Sequence, residues 1–581
     1  MMPLHMYRPY APARIFRFGP YEVDARTREL RKTGLRIQLQ EKPFQVLDAL
    51  LEHPGELVSR EHLRRRLWPE GVCVDFENGL NSAVNRLRDA LRDRVRRPKY
   101  IETLHRRGYR FIASVQRVRA FEQPTVAVLP FENLNSDPGQ EYFADGLTDL
   151  LITELSHISG LRVISRQSVL QFTGTAGKVA EVGRNLNVDA IVEGTVFHAG
   201  DQVRITTQLV QVEPEQHLWA GTHDGEIGDV LAMQARVARS VAEAVAVALL
   251  PGEKARLDRV VQVPPEAQLA YMKARYHGSH WTRESLEKAF AHLRQAIALD
   301  PNYAAAHAEL AINLSLLAYW GHLPIRPAYP QARQLAARAV ELDDGLCLAH
   351  HALAWTLWLN DWNVAGCNRE IRRAIDLSPS DAGARMLHAI FLVTMREDGK
   401  GALAEARYGL DLDPLSEFTN SGGAWIALFA RRYQQAAYEA ARTLEMFPYS
   451  VQAYCVLGLA NSCLGKLSDA IAALERAVSI SRDPIGMGYL GHVYALAGRA
   501  DQARELLEEL KGREYVPAKS LIAIYAGLGD RDRAFEALER TWAERDPMLF
   551  WLHCAPPFEP LRDDPRFKDL HSRLPSCASA R

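Results

Sequence analysis

"YIETLHRRGYRFIA" occupies residues 100–113, with short apolar and aromatic runs on either side of a tip that carries Arg106, Arg107 and Gly108. Strand signals flanking a Gly-containing turn predict a β-hairpin. Arginines at such a tip have no core to pack against, so they serve either solubility or a negatively charged partner. Just upstream, "DFENGLNSAVNRLRDALRD" (75–93) spaces Leu80, Val84, Leu87 and Leu91 as one buried helical stripe. Turning about 100° per residue from Val84 puts Asn78, Ser82, Asn85, Arg86 and Asp89 on the opposite face. Short amides, a hydroxyl and an arginine are the side chains that read base edges in a major groove. On an isolated helix the same pattern more often describes a solvated face.

The neighbouring elements decide between those readings. Residues 14–41 alternate apolar and polar positions, with turn signals at Gly19-Pro20 and near Gly34, which predicts a small antiparallel sheet. Phe44, Val46, Leu47, Leu50 and Leu51 repeat at helical spacing until "HPGE" (53–56) stops them. Ser59 is a good N-cap for a short helix that turns Leu63 and Leu67 inward beside Trp68. A helix, a short helix, a polar-faced helix and an arginine-tipped hairpin make a winged helix-turn-helix. "LVSREHLRRRLWPE" (57–70), "NSAVNRLRDAL" (81–91) and the hairpin, with its I-E-T-x-x-x-x-G-Y-R-F run, resemble the OmpR/PhoB-type effector domain over about 100 residues.

The resemblance implies that helix 77–92 lies in the major groove of DNA and that the wing enters the adjacent minor groove. By position, Asn81, Ser82, Asn85 and Arg86 become base or phosphate contacts, with Asn78 on the same face. Arg106 and Arg107 become wing contacts, and Arg88 pairs with phosphate. Arg64, Arg65 and Arg66 on the preceding helix reach phosphates, which positions the domain without reading sequence. A narrow minor groove attracts arginines at a protruding tip, which accounts for their place there. Relatives carry more cations along the recognition helix than this chain, which leaves its preferred base sequence open. No receiver pattern precedes residue 14, so phosphorylation in cis is not expected.

Charge supports a polyanion partner for this part alone. Residues 1–120 hold 25 Lys and Arg against 14 Asp and Glu, a net of +11, while the rest of the 581 residues carries −12. The seven cysteines form no C-x-x-C pair, the pattern of free thiols in a reducing compartment. The N-terminal residues hold no apolar run, and 229–250 is interrupted by Arg236, Arg239 and Glu243. Neither is a leader or a membrane span, so a cytoplasmic protein with no membrane partner is expected.

From "TVAVLPF" (125–131) the pattern becomes α/β. Helix 141–160, strand 161–166, helix 178–186, strands 189–200, 201–212 and 217–224, and helix 229–250 predict a mixed sheet with helices packed on it. "VAVLPFENLNSDPGQEYFADGLTDLLITELS" resembles TolB-like (FlgO-like) domains over about 125 residues, which implies a fold and a sensor or packing platform. "GTAGK" (174–178) lacks the P-loop glycine spacing, and Val179 follows its lysine. Asp145 and Asp149 read as a solvated face or a metal pair. No H-E-x-x-H, G-x-S-x-G or Cys/His nucleophile pattern occurs. No catalytic residue, cofactor or metal is assigned, and the chain is not expected to be an enzyme.

From residue 265 turn segments at 299–301, 342–344, 377–379, 412–414, 446–448 and 480–483 end alanine-rich helices at intervals near 34 residues. That period resembles tetratricopeptide repeats, with an insertion or bent junction at 319–330. Such solenoids bind extended segments in a groove, where Trp355, Trp358, Trp362 and Trp425 are contact residues or core. "PPFEPLRDDPRFKDL" (556–570) reads as a cap over the last pair.

The expected architecture is therefore multidomain, α+β and then all-α: tail 1–13, winged helix 14–117, linker 118–124, α/β domain 125–250, repeats 265–555, and cap and tail 556–581. It resembles one-component regulators of the CadC type without a membrane segment. The expected function is a sequence-specific DNA-binding regulator. Its partners are double-stranded DNA, a protein or peptide at the repeat groove, and a second copy of the chain, since one winged helix buries little surface. The alternatives are a repeat scaffold with weak non-specific DNA binding and a nucleotide-dependent enzyme built on the middle domain.

Overall fold

The computed structural model describes residues 14–575 apart from 25–28, 33–34, 38, 53, 68–75, 95–97, 105–106, 114, 120–122, 136–140, 175–177, 214, 246, 248, 260–262, 279–282, 320–322 and 514. Trp68, Cys73, Cys577, Arg106 and most of "GTAGK" thus lie outside the described residues. The chain forms two compact units, Met1–Gln123 and Pro124–Arg581.

In the first unit β1 (Arg14–Phe18), β2 (Tyr21–Asp24), β3 (Glu29–Lys32) and β4 (Leu35–Ile37) precede α1 (Glu41–Glu52), β5 (Leu57–Ser59), α2 (Arg60–Leu67) and α3 (Phe76–Leu91). β6 (Ile101–Leu104), β7 (Gly108–Phe111) and β8 (Gln116–Arg119) follow. An antiparallel sheet ordered β4-β3-β2-β1-β8 stands beside the helices, and β5-β7-β6 is the wing. The stripe seen in the sequence is the core: Leu80, Val84, Leu87 and Leu91 are buried with Leu47, Leu50, Leu63 and Phe111. Phe18 meets Phe111 edge-on at 4.8 Å and Tyr100 at 5.5 Å, which ties the first sheet to the wing. Gly108 permits β5 to join, because a Cβ there would lie 2.1 Å from the Val58 carbonyl oxygen.

The second unit begins with β9 (Thr125–Val128), β10 (Glu132–Asn133), α4 (Glu141–Ser156), β11 (Arg162–Val163), α5 (Arg166–Val169) and α6 (Val179–Leu186). β12 (Ala190–Ala199), β13 (Gln202–Gln211), β14 (Gln216–Glu226), α7 (Val230–Ala244) and α8 (Pro251–Asp258) complete its sheet-bearing part. The sheet runs β11-β9-β12-β13-β14, and β10 pairs with β12. β9 is buried at all four positions, as a parallel strand covered on both faces must be, whereas β13 alternates exposed and buried. The helix expected over 229–250 is present but ends at Ala244, and a separate helix starts at Pro251, a position that tolerates its missing N–H. Asp145 and Asp149 are neither a solvated face nor a metal pair. Asp149 is 6% exposed and accepts from Arg275 Nε at 2.7 Å and Nη2 at 2.9 Å, and Arg166 pairs with Asp145. Burial pushes the Asp149 carboxyl up, but Arg275 and Arg166 outweigh it and hold it below its ordinary range.

Helices from Pro265–Gly278 to Arg531–Ala543 then pack in antiparallel succession. The turn segments found in the sequence coincide with helix ends at Leu299, Leu342, Leu377, Leu412, Met446 and Ile480. Asp381, Ser416, Ser450 and Asp483 cap the following helices through their side-chain oxygens. Pro330 does not break the chain; it lies inside helix Ile325–Leu342. These turns also hold the α/β part. Ser165 N donates to Leu412 O at 2.9 Å, Val163 N to Ser380 Oγ at 3.2 Å, and Ser168 Oγ to Asp413 Oδ1 at 2.8 Å.

The C-terminal segment does more than cap the last pair. Two 3-10 turns, Pro547–Trp551 and Pro556–Leu561, lie against the first helices of several repeats. Trp551 is 5.2 Å from both the Tyr319 and Trp358 rings, and Phe550 is 5.3 Å from Trp362. Trp355, Trp358 and Trp362 are therefore core, while Trp425 Nε1 donates to Gln452 at 3.0 Å. A peptide would have to displace this segment to reach those tryptophans. Helix Pro565–Arg573 supplies the expected cap, with Arg566 stacked 4.2 Å over Phe535 and paired to Asp532 at 2.9 Å. No helix among the described residues is long and apolar enough to cross a membrane.

Candidate nucleic-acid interface

α3 presents its polar ridge as the wheel predicts. Asn78, Asn81, Ser82, Asn85, Arg86 and Asp89 are exposed, opposite the buried stripe. Asn81 is held rather than loose: its Oδ1 accepts from Arg60 Nη2 at 2.9 Å and from Tyr109 Oη at 3.1 Å. Arg60 also donates to Tyr109 Oη at 3.1 Å and lies 5.6 Å from the ring centre. This triad joins the start of α2, the ridge of α3 and the strand behind the wing tip, and it orients the amide NH2 of Asn81. Arg86 donates to Gln40 Oε1, which steers its guanidinium toward the start of α1.

At the tip, Arg107 is exposed, while its backbone N–H donates to Leu104 O at 2.9 Å and its carbonyl accepts from Arg60 N at 3.2 Å. The tip is thus fixed by main chain and the side chain stays available. Arg64 and Arg65 are exposed and share Glu61 at 3.4 and 3.2 Å, pairs weak enough in water to exchange for phosphate.

Two arginines counted as contacts are placed elsewhere. Arg88 is 5% exposed, and its Nη2 donates to Ile101 O at 2.9 Å and Thr103 Oγ1 at 2.7 Å, so it bolts α3 to the first wing strand. Arg66 points back at α1, where Asp48 and Glu52 receive it, the latter at 2.5 Å. Burial would lower the Arg66 pKa, but the two carboxylates raise it further. Sequence reading missed Arg60, Tyr109 and Asp93. The Asp93 carboxylate accepts from the backbone N–H of Lys99 and Ile101 at 2.6 and 2.8 Å and anchors the root of the wing. The only signal for them was position, directly after the N-cap serine, within G-Y-R-F, and at the end of α3.

A braced polar helix beside an arginine-tipped wing is the winged-helix arrangement, and the comparisons with known proteins agree. Residues 34–111 match the family model of the transcriptional regulatory protein C-terminal domain, residues 122–238 that of the HilA/YgeH-like transcriptional regulator second domain, and residues 451–484 a tetratricopeptide repeat. The first unit is thus an OmpR/PhoB-type winged-helix domain, followed by a HilA/YgeH-like second domain and tetratricopeptide repeats. Transcriptional regulator HilA of Salmonella typhimurium is 24% identical over 417 residues, 69% of this chain and 71% of that protein. The cholera toxin transcriptional activator of Vibrio cholerae is 36% identical over 83 residues, 14% of this chain and 28% of that protein. A Rhizobium meliloti protein that carries an adenylate cyclase name is 36% identical over 241 residues; the match spans 41% of each chain.

Proposed function

We propose that this chain is a one-component, sequence-specific regulator of transcription that binds double-stranded DNA through its first unit. α3 would lie in the major groove, with Asn78, Asn81, Ser82, Asn85 and Arg86 toward bases and phosphates. Arg106 and Arg107 would enter the adjacent minor groove, and Arg64 and Arg65 would hold phosphates on the other side of α3. The observation that carries this reading is the exposed ridge of α3 braced against the wing by Arg60, Asn81 and Tyr109, in a piece of chain with a net charge of +11. Relatives named as transcriptional regulators and a toxin-gene activator support it.

The α/β domain and the repeats then serve signal input and protein interaction, within the domain limits drawn from the sequence and without catalysis. Because residues 547–561 cover the aromatic faces of the repeat helices, a protein partner is assigned to other surfaces of this unit. A reducing, cytoplasmic setting suits the five described cysteines, none of which forms a disulfide. Selection of genomic duplex fragments by the full chain tests the reading. A recovered common sequence bound at least about 10³-fold more tightly than random duplex supports it. Equal affinity for all duplexes would reduce the protein to a scaffold with non-specific DNA binding.

A further inference from the structure

The main strand order of the second unit's sheet ends at β11 and at β14. At β11 the backbone N–H of Val163 reaches Ser380, and Ser165 just beyond it reaches Leu412, so repeat turns close that side. At the other side stands β14, eleven residues long, and no strand among the described residues pairs with its outer edge. Natural edges are protected by lysine, proline, bulges or a covering element. Gln216–Glu226 contains neither lysine nor proline; its one bulge leaves Leu218 unpaired between Trp219, opposite Leu209, and His217, opposite Val210, so the strand runs regularly from Trp219 to Glu226. Its centre, Leu218 to Thr222, carries no charge at all.

We propose that β14 pairs antiparallel with β14 of a second copy of this chain, with Gly221 on the two-fold axis, joining the two sheets into one. A symmetric antiparallel pair is isologous, so the strand must complement itself. Centred on Gly221, Ala220 faces Thr222 of the partner subunit, Leu218 faces Asp224 of the partner subunit, and Gln216 faces Glu226 of the partner subunit. No like charges meet in that register. Centring on Asp224 would oppose two carboxylates directly, which is destabilising.

The two faces also agree. Ala220, Thr222, Asp224 and Glu226 are exposed, and they continue rows of polar residues that begin at Thr206 and Arg204 on β13. Trp219, Gly221, His223 and Gly225 turn to the α7 side, where Met233 lies 3.0 Å from a Cβ built on Gly225. The Trp219 ring lies across Gly221, 2.5 Å from where a Cβ would stand, so the missing side chain at the axis is already filled. Within Trp219–His223, the regular stretch about the axis, pairing preserves this alternation, since even positions meet even ones. The inference is independent of the DNA reading, although a two-fold dimer would suit paired half-sites.

Sedimentation equilibrium of the full chain from nanomolar to high micromolar concentration tests it, with the double variant Ala220→Lys, Thr222→Lys beside the wild type. The expected result is a wild type of doubled mass and a variant of single mass with an unchanged circular dichroism spectrum. A wild type that stays monomeric, or a folded variant that stays dimeric, overturns the proposal. Should the variant not fold, hydrogen exchange of the wild type decides. Amides of 216–226 that gain protection with concentration support the pairing, and concentration-independent exchange refutes it. A monomer that still selects DNA sites would remove this dimer and leave the regulator reading standing.

Discussion

Replacing Arg88 with methionine separates a bolt from a contact. The side chain is 5% exposed and gives two charge-assisted hydrogen bonds, at 2.9 Å to the Ile101 carbonyl and 2.7 Å to Thr103 Oγ1. Methionine keeps the apolar stem and removes both bonds, leaving a buried carbonyl without its donor. Bonds from charged donors are worth about 1.5–3 kcal/mol each, offset by relief of a buried charge, so a net loss of about 2–4 kcal/mol in the first unit follows. Hydrogen exchange of the α3 and β6 amides in the full chain reads that loss as opening about 30- to 1,000-fold more frequent, at tenfold per 1.4 kcal/mol. Because Arg88 meets no phosphate in this account, the slope of log K against log salt for duplex binding should equal that of the wild type. A slope smaller by about 0.9, with exchange unchanged, would show that Arg88 neutralises a phosphate and that the bolt is fictitious.

Ser82→Ala or Asn85→Ala should alter which sequence is preferred, with about 1–3 kcal/mol of discrimination lost at one position, and an unchanged selected motif would take these side chains off the bases. Trp551→Ala should destabilise the second unit by about 3–5 kcal/mol in urea titrations while leaving the DNA salt slope intact; a small loss would mean the C-terminal segment is only loosely seated. His492 is buried and bonded to the Ala523 carbonyl at 2.9 Å, and burial pushes its pKa down from 6.5 to about 4. Its neutral form therefore favours the fold fully above about pH 6.5. That contribution, up to about 3 kcal/mol, disappears as pH falls through about 4. His492→Gln should flatten stability against pH across that window, and parallel curves would contradict the burial.

Much of this was legible because it rests on local periodicity. The α3 stripe, the hairpin and the six repeat turns follow from spacing alone, and the structure ends its helices at those turns. The partners of arginine were not legible. Arg88 and Arg66 read as surface cations like Arg64 and Arg65, and only the approach of Ile101 and of Glu52 turns them inward. β5 is three residues long, too short for a period, and it becomes a strand because Gly108 lets β7 come close. The C-terminal segment was hidden for the same reason at longer range. "MLFWL" shows that burial is needed, but not that Tyr319 and Trp358, some 200 residues upstream, provide it.

Salt titration of duplex binding by the full chain, wild type against the double variant Arg106→Ala, Arg107→Ala, tests the central claim most directly. A positively charged tip seated in a minor groove predicts measurable affinity at low ionic strength. It also predicts a slope that flattens by about 0.9 for each phosphate no longer neutralised. Absence of affinity for any duplex at low salt, or identical slopes for both proteins, would contradict it.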